Sequence, residues 1–459
     1  MCGILCYNGE PISKAAFLTQ LNKLAHRGKD FTGVGGDNDG FFLGHTLHAV
    51  VDCVPQPIDD CFAANCEIYN WEALAKQYHL TAKNDAVLLY LLLKKKGLAA
   101  LKEIDGDYAF VWKNGESIYA ARDIVGVKPL WWHKDGTNIW IASENKALEG
   151  NGYPINPRKI LIYEKKNITF IEQPFSLPPE INITTEKATK KIANLLTNSV
   201  KKRIAGLSKI AILFSGGVDS TLLAVLAKKY CKKKAEIVLY TAGFAESEDV
   251  QLAQKAAKML GLLHKMYLCK IEEIEQEIKE VKCVIESTDV MKVGVALPFH
   301  FACKLAHADG HKVILSGLGS EELFAGYRRH KEADDINKEC FMGLLTMHER
   351  DLYRDDTITM AHQLELRVPF LDYALIEYAL SIPGNYKLKD GMDKAILREV
   401  ACQLGVPEEV AYRKKRAAQY GSGVDKVIEK LAKRNGYKTK SEYLLHIGER
   451  EQKPLKTSS

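Results

Sequence analysis

The 459-residue sequence has no apolar run long enough to cross a membrane. Its first residues, Met1-Cys2-Gly3-Ile4-Leu5-Cys6, lack the basic stretch and long apolar core of a secretory signal. Eleven cysteines include no Cys-x-x-Cys pair. That argues against a zinc site or a disulfide framework and for reduced thiols in the cytoplasm. The Gly216-Gly217 turn is not followed by Gly-Lys-Ser/Thr, which disfavours γ-phosphoryl transfer of the Walker kind. Charge of one sign is also scarce, since the net charge is only +6. It is unevenly placed: residues 413–459 hold 13 Lys/Arg against 5 Asp/Glu. A solvated basic tail is the expected reading, and nucleic acid is not an expected partner.

What the sequence does have is centred on Lys209-Ile-Ala-Ile-Leu-Phe-Ser-Gly-Gly-Val-Asp-Ser-Thr-Leu-Leu-Ala224. A β-favouring run over 210–214 ends in Ser215-Gly216-Gly217. A helical stripe with Leu222, Leu223 and Leu226 follows. Strand, glycine turn and helix N-terminus suit a polyphosphate. The glycines let backbone approach the oxygens, and the helix dipole favours negative charge. Asp219 suits a Mg²⁺ that bridges phosphates. Further strands over 236–241, 266–268 and 312–315 alternate with helices over 248–260, 271–285 and 295–308. That pattern predicts a parallel sheet with helices on both faces and ligands at the strand carboxyl ends. Thr241-Ala242-Gly243 and Ser316-Gly317-Leu318-Gly319-Ser320-Glu321-Glu322 converge there with the first loop.

The first 170 residues differ. Short strands such as 41–43, 110–112 and 139–142 alternate with turns, predicting an antiparallel layered structure. Removal of Met1 leaves Cys2 first, with its own α-amino group as base. Residues 172–185 carry prolines without helical periodicity and read as a linker. Thr185 is placed to cap a helix that buries Ile192, Leu195, Leu196, Val200 and Ile204.

Two ordered sets of motifs resemble a known family. The first comprises Cys2, His26-Arg27-Gly28-Lys29-Asp30, Gly44-His45, Asn65-Cys66-Glu67-Ile68-Tyr69-Asn70, Asn84-Asp85, Gly106-Asp107, Arg122-Asp123 and Ser143-Glu144. It resembles the class II glutamine amidotransferase domain, an N-terminal-nucleophile αββα sandwich. The second comprises Ser215-Gly-Gly-Val-Asp-Ser220, the 316–322 loop, Arg354-Asp355-Asp356, Leu364-Glu-Leu-Arg-Val-Pro-Phe-Leu-Asp372, Gly391-Met-Asp-Lys394 and Arg413-Lys-Lys-Arg416. It is similar to the ATP-pyrophosphatase domain of glutamine-hydrolysing asparagine synthetases. The expected layout is therefore α/β in two domains, 1–171 and 186–459, joined by 172–185.

The resemblance implies ATP, Mg²⁺, glutamine and aspartate as ligands, and it is compatible with a homodimer. It implies Cys2 as nucleophile, with Asn65 and the Cys66 N–H as oxyanion donors. Glu67 and Asp85 would hold the glutamine α-amino end. Leu213 and Ala242 would meet adenine. Ser215, Gly216, Gly217, Asp219, Ser220, Ser316 and Gly317 would face phosphates, Asp219 and Glu321 would hold Mg²⁺, and Lys394 would support amide formation. Arg367 and Lys415 are further cationic supports by the same resemblance. Three departures stand out: Leu47 where an arginine is usual, Cys66 for glycine, and Leu318 for glutamate. Gly44-His45-Thr46-Leu47-His48, Arg354-Asp355-Asp356 and Gln419-Tyr420-Gly421-Ser422 look like a divergent branch of the family. The resemblance implies asparagine synthesis from aspartate with glutamine as nitrogen donor. The alternatives are amidation of another carboxylate, including with ammonia as donor, a non-catalytic binding or regulatory role, and a hydrolase that only releases ammonia.

Overall fold

The computed structural model describes residues 2–37, 40–50, 53–413 and 421–447. Lys415, Gln419, Tyr420 and the end of the basic tail lie outside these residues.

The strands are β1 (Gly3–Asn8), β2 (Phe31–Gly36), β3 (Phe41–Leu47), β4 (Phe62–Ile68), β5 (Gly106–Asn114), β6 (Ser117–Arg122), β7 (Trp131–Asp135) and β8 (Asn138–Ala142). They continue with β9 (Tyr153–Pro154), β10 (Lys159–Glu164), β11 (Asn167–Glu172), β12 (Lys209–Leu213), β13 (Glu236–Gly243), β14 (Leu263–Leu268), β15 (Val313–Leu315) and β16 (Glu365–Arg367). Two antiparallel sheets, β2-β3-β1-β8-β7-β9 and β11-β10-β6-β5-β4, build the first part. Successive side chains of a strand point to opposite faces. Ile4 and Cys6 of β1 therefore enter the core between the sheets, with Leu43, Ala109, Val111 and Ile141. Leu5 and Tyr7 face the outer layer, with Phe17 and Leu21 of the helix Lys14–Asn22. Across the other sheet, Leu88, Leu89, Leu92 and Leu93 of the helix Asp85–Lys96 pack on Phe62 and Phe110. Helix, sheet, sheet and helix form the four layers, so β1 is buried on both faces and its start is held rigidly.

The second part carries the parallel sheet β14-β13-β12-β15-β16. Every pairing in it is parallel, as in β12 with β13 and β15 with β16. Five strands are present where the sequence alternation indicated four, because β16 is only three residues long. Helix Thr185–Ile204 buries Ile192, Leu196, Val200 and Ile204, with Leu195 half-buried. Its cap is Thr184, whose Oγ1 accepts from Lys187 N at 3.4 Å, not Thr185, which is already helical. The stretch between β11 and this helix is docked: Ile181 N donates to Ser381 O, and Glu180 accepts from Asn337 Nδ2 and Gly384 N. The described part of the basic tail folds as the helices Val424–Arg434 and Lys440–His446. Three of its cations are paired: Lys433 with Glu429, Arg434 with Glu275 and Lys440 with Asp425.

Charged side chains tie the two parts together, the Arg27–Asp356 pair of them buried. Arg27, wholly buried, reaches Asp356 at 2.8 Å and Glu144 at 2.6 Å. Lys202 pairs with Asp105 at 2.6 Å, and Lys312 Nζ donates to Ala49 O at 2.7 Å.

Candidate active site

Two chemical centres are built at the ends of β1 and β12. At the first, Cys2 leads into β1 and is buried. Its backbone N–H donates to Asn65 Oδ1 at 3.0 Å, and Arg27 Nε donates to its carbonyl at 3.0 Å. Asn65 comes from β4 in the facing sheet and is fully buried. Its Nδ2 has no hydrogen-bond partner among the described residues. A buried donor left unmade is costly unless a ligand uses it. Such a donor beside a thiol is what an oxyanion needs. Burial pushes the Cys2 thiol above its ordinary value, so the thiol is protonated at rest and needs a base.

Cys66 lies within β4 opposite Tyr108, in extended backbone where its Cβ is free of strain. Burial also raises the Cys66 thiol, which hydrogen-bonds the Asp85 carboxyl. Asp85 further accepts from Ile68 N at 3.0 Å and Ala86 N at 2.8 Å. Both its oxygens are engaged in fixing the end of β4 on the helix behind it. Glu67 instead faces the second domain, where Arg367 Nη2 lies 2.9 Å from its Oε2. Burial raises Glu67 to about 7, against the pull of Arg367.

At the second centre the carboxyl ends of β12, β13 and β15 open into a cavity of about 750 Å³. Leu213, Ser215, Asp219, Ser220, Ala242, Ser316, Gly317 and Glu321 line it, as does Lys394. Gly216 and Gly217 form the turn itself but do not line it. Gly216 has φ of 64°, and a Cβ there would lie 2.8 Å from Ala253 Cα. The glycine is required by the close pass of helix Glu248–Leu260, more than by phosphate approach. Gly217 caps the helix Val218–Tyr230, whose positive end points at the cavity.

Lys394 Nζ sits 2.8 Å from Asp219 Oδ2, 2.7 Å from Glu321 Oε2 and 3.1 Å from Ser320 Oγ. Burial disfavours the ammonium, but the two carboxylates outweigh it and raise Lys394. Lys394 is held in the left-handed region at φ of 56°, ahead of the helix Ala395–Leu404. Such backbone is sustained only where surrounding contacts impose it. Two carboxylates from separate strand ends, facing one small volume, form an oxygen donor set that fits Mg²⁺.

Sequence reasoning missed Arg350 and Asp351 on the far wall and named Arg354 and Asp355 only as part of a motif without a role. All four line the cavity, from a π-helical turn and the helix after it. Arg350 pairs with Glu322 at 2.6 Å, and Arg354 pairs with Asp355 at 2.7 Å. Arg367 was expected as a cation near ATP. It is not among the cavity-lining residues and is buried toward the N-terminal domain. The alternation of Leu364, Leu366 and Val368 with Glu365 and Arg367 is the signal that locates β16.

The layered antiparallel domain with Cys2 at a strand start, and the parallel sheet with a glycine turn, define a two-domain amidotransferase–ATP-pyrophosphatase architecture. The family comparisons agree. The glutamine amidotransferase domain model matches residues 1–192, and the asparagine synthase model matches 191–335 and 331–444. A putative glutamine-hydrolysing asparagine synthetase of Methanocaldococcus jannaschii is 34% identical, over 96% of this chain and 97% of its own. Asparagine synthetase B of Escherichia coli is 28% identical, over 90% and 79%. Among solved structures, the glutamine phosphoribosylpyrophosphate amidotransferase of B. subtilis matches 58% of this chain and 65% of its own, with a TM-score of 0.34 at 15% identity. The chain belongs to the asparagine synthetase family. Its two modules are those of ATP-using, glutamine-dependent amide ligases. No described helix is long and apolar enough to cross a membrane.

Proposed function

We propose that this protein makes asparagine from aspartate, ATP and glutamine. The observation that carries the reading is Lys394 held between Asp219 and Glu321 in the cavity at the ends of β12 and β15. In the first domain, the Cys2 sulfur attacks the glutamine amide carbon, and the thiol proton passes to the α-amino group freed by removal of Met1. Asn65 Nδ2 and the Cys66 N–H hold the oxyanion. Its collapse expels ammonia and leaves a thioester, which water hydrolyses to glutamate.

In the second domain, a β-carboxylate oxygen of aspartate attacks the α-phosphorus of ATP and pyrophosphate leaves. Lys394 neutralises the charge that develops there. Asp219 and Glu321 would hold Mg²⁺, which supplies further neutralisation of the phosphates. Ammonia then attacks the acyl-adenylate carbon, AMP departs, and the amide remains. Activation is needed because a free carboxylate is a poor electrophile.

A second reading, amidation of another carboxylate, is favoured by Leu318, which puts an apolar side chain in the cavity wall. Pyrophosphate release with ATP, Mg²⁺ and aspartate, supplied with glutamine or ammonium, tests both. Asparagine as the product supports the first reading. No pyrophosphate with aspartate removes it and turns the search to other acids.

A further inference from the structure

The glutamine-binding residues expected from the sequence, Glu67 and Asp85, are both acidic. A zwitterionic α-amino acid needs a cation as well. Leu47, where the resemblance leads one to expect arginine, is buried and apolar. His48 does not replace it. Burial lowers it to about 3, and its Nε2 meets Lys312 O at 3.3 Å.

A buried cation of the other domain stands against Glu67. Arg367 on β16 is almost wholly buried. Nε donates to Glu365 Oε1 at 2.6 Å and Nη1 to Arg203 O. Nη2 stands 2.9 Å from Glu67 Oε2 yet makes no hydrogen bond among the described residues. One buried guanidinium edge is therefore poorly used, and it is the edge that faces the Glu67 carboxylate. The Glu67 side chain keeps 23% of its surface exposed against 2% for Arg367, so the pair opens on the Glu67 side.

The spacing suits glutamine. Asn65 and Glu67 are two residues apart on β4 and share a face, about 7 Å from one another. Asn65 is tied to Cys2, where the amide is cut. An extended glutamine reaches from there to Glu67.

We propose that Arg367 is the glutamine α-carboxylate ligand. Its Nη2 binds a carboxylate oxygen while Glu67 binds the α-ammonium, so a strand of the synthetase domain completes the glutaminase pocket. The inference rests on the glutamine-hydrolysis reading above. It also places the head group next to the phosphate loop, because the Arg367 carbonyl accepts the Ser316 N–H at 3.0 Å.

The test compares ammonia release by the full-length protein from three amides. These are glutamine, 4-aminobutanamide (no α-carboxylate) and glutaric acid monoamide (no α-amino group). The wild type should prefer glutamine to 4-aminobutanamide by about 100-fold in kcat/KM. Arg367→Lys and the uncharged Arg367→Gln should cut that preference by about 10-fold or more. The change should appear mainly in KM, with the preference over glutaric acid monoamide kept. A wild type that cleaves 4-aminobutanamide as well as glutamine overturns the proposal, as does an Arg367 variant that keeps the full preference. Should both variants fail to fold, Lys128→Met decides. Lys128 is the other buried cation acting on Glu67. Its loss should leave the wild-type preference in place, and a collapse there overturns the assignment to Arg367. Release of ammonia from none of the three amides sinks the hydrolysis reading, and this proposal with it.

Discussion

The two centres are prepared in opposite ways. Around Cys2, two donors are unsatisfied among the described residues: Asn65 Nδ2 is buried without a partner, and Arg367 Nη2 meets Glu67 without a formed hydrogen bond. Around Lys394 the charges satisfy each other, with Asp219 and Glu321 on one ammonium. On the proposed reaction the first centre is preorganised for a neutral amide that becomes an oxyanion, so its dipoles are fixed in advance. On the same proposal the second accepts a polyanion and releases pyrophosphate. Its cation is stored on carboxylates that a nucleotide and metal would redistribute. Binding at the second centre should therefore be ionic and sensitive to salt, whereas reaction at the first should depend on the placement of donors within the fold.

Removing the nucleophile breaks the comparison most sharply. Cys2→Ala should abolish ammonia release from glutamine, and pyrophosphate release should then follow added ammonium instead. Loss of both activities would show that the domains do not work separately. Lys394→Met should lower pyrophosphate release with either nitrogen source by about 10²–10³-fold, the range for a charge-stabilising group. Glutamine hydrolysis should remain, measured as glutamate formed without ATP. Asn65→Ala should cost a similar factor, about 10²-fold, on glutamine hydrolysis alone.

Much of this was legible in the sequence, for physical reasons that differ by region. The 215–220 loop was readable because strand, turn and helix follow one another within a dozen residues, so local pattern carries that part of the site. The β-rich character of the first domain was readable from its strand–turn alternation. β16 was not, because Glu365 and Arg367 look like surface charges, and the partners that bury Arg367, Glu67 and the Arg203 carbonyl, are distant in sequence. Asp356 is the same case. Its charge is answered by Arg27, more than three hundred residues earlier. The reason for Gly216 was half legible: the sharp turn was evident, but the helix at Ala253 that excludes a Cβ was not.

The bridge between the centres offers a smaller but cleaner effect on stability. Asp356→Asn leaves the wholly buried Arg27 with Glu144 as its remaining carboxylate. Breaking a buried pair from one side costs about 3–5 kcal/mol. Part of that should be recovered here because Glu144 remains. A lowered urea midpoint would show that the pair joins the domains thermodynamically. An unchanged midpoint would show that other contacts between the two parts, such as Lys312 Nζ on Ala49 O and Lys202 on Asp105, hold them together instead.

The smallest effect is a pH dependence carried by the cavity wall. Asp355 is buried and its carboxyl is raised from 3.8 to about 6, by burial first and with Arg354 pulling the other way. Asp351 and Asp356 add repulsion, and Cys303 faces it from the helix Val290–Ala308. A carboxyl with a raised folded value holds its proton more tightly in the folded state. Folding is then favoured as pH falls from about 6 toward 3.8, and the cost of the buried charge is fully present above 6. Asp355→Asn removes this ionisation. Relative to wild type, the variant should gain about 1 kcal/mol between pH 5 and pH 8, at roughly 1.4 kcal/mol per unit of pKa difference. The lost hydrogen bond to Arg354 shifts both pH values equally, so the difference between them isolates the titration. Urea unfolding of both proteins at the two pH values reads it directly. A variant whose deficit is the same at pH 5 and pH 8 would mean that Arg354 keeps Asp355 ionised throughout, making this wall a permanent ion pair and the second centre as rigidly prepared as the first.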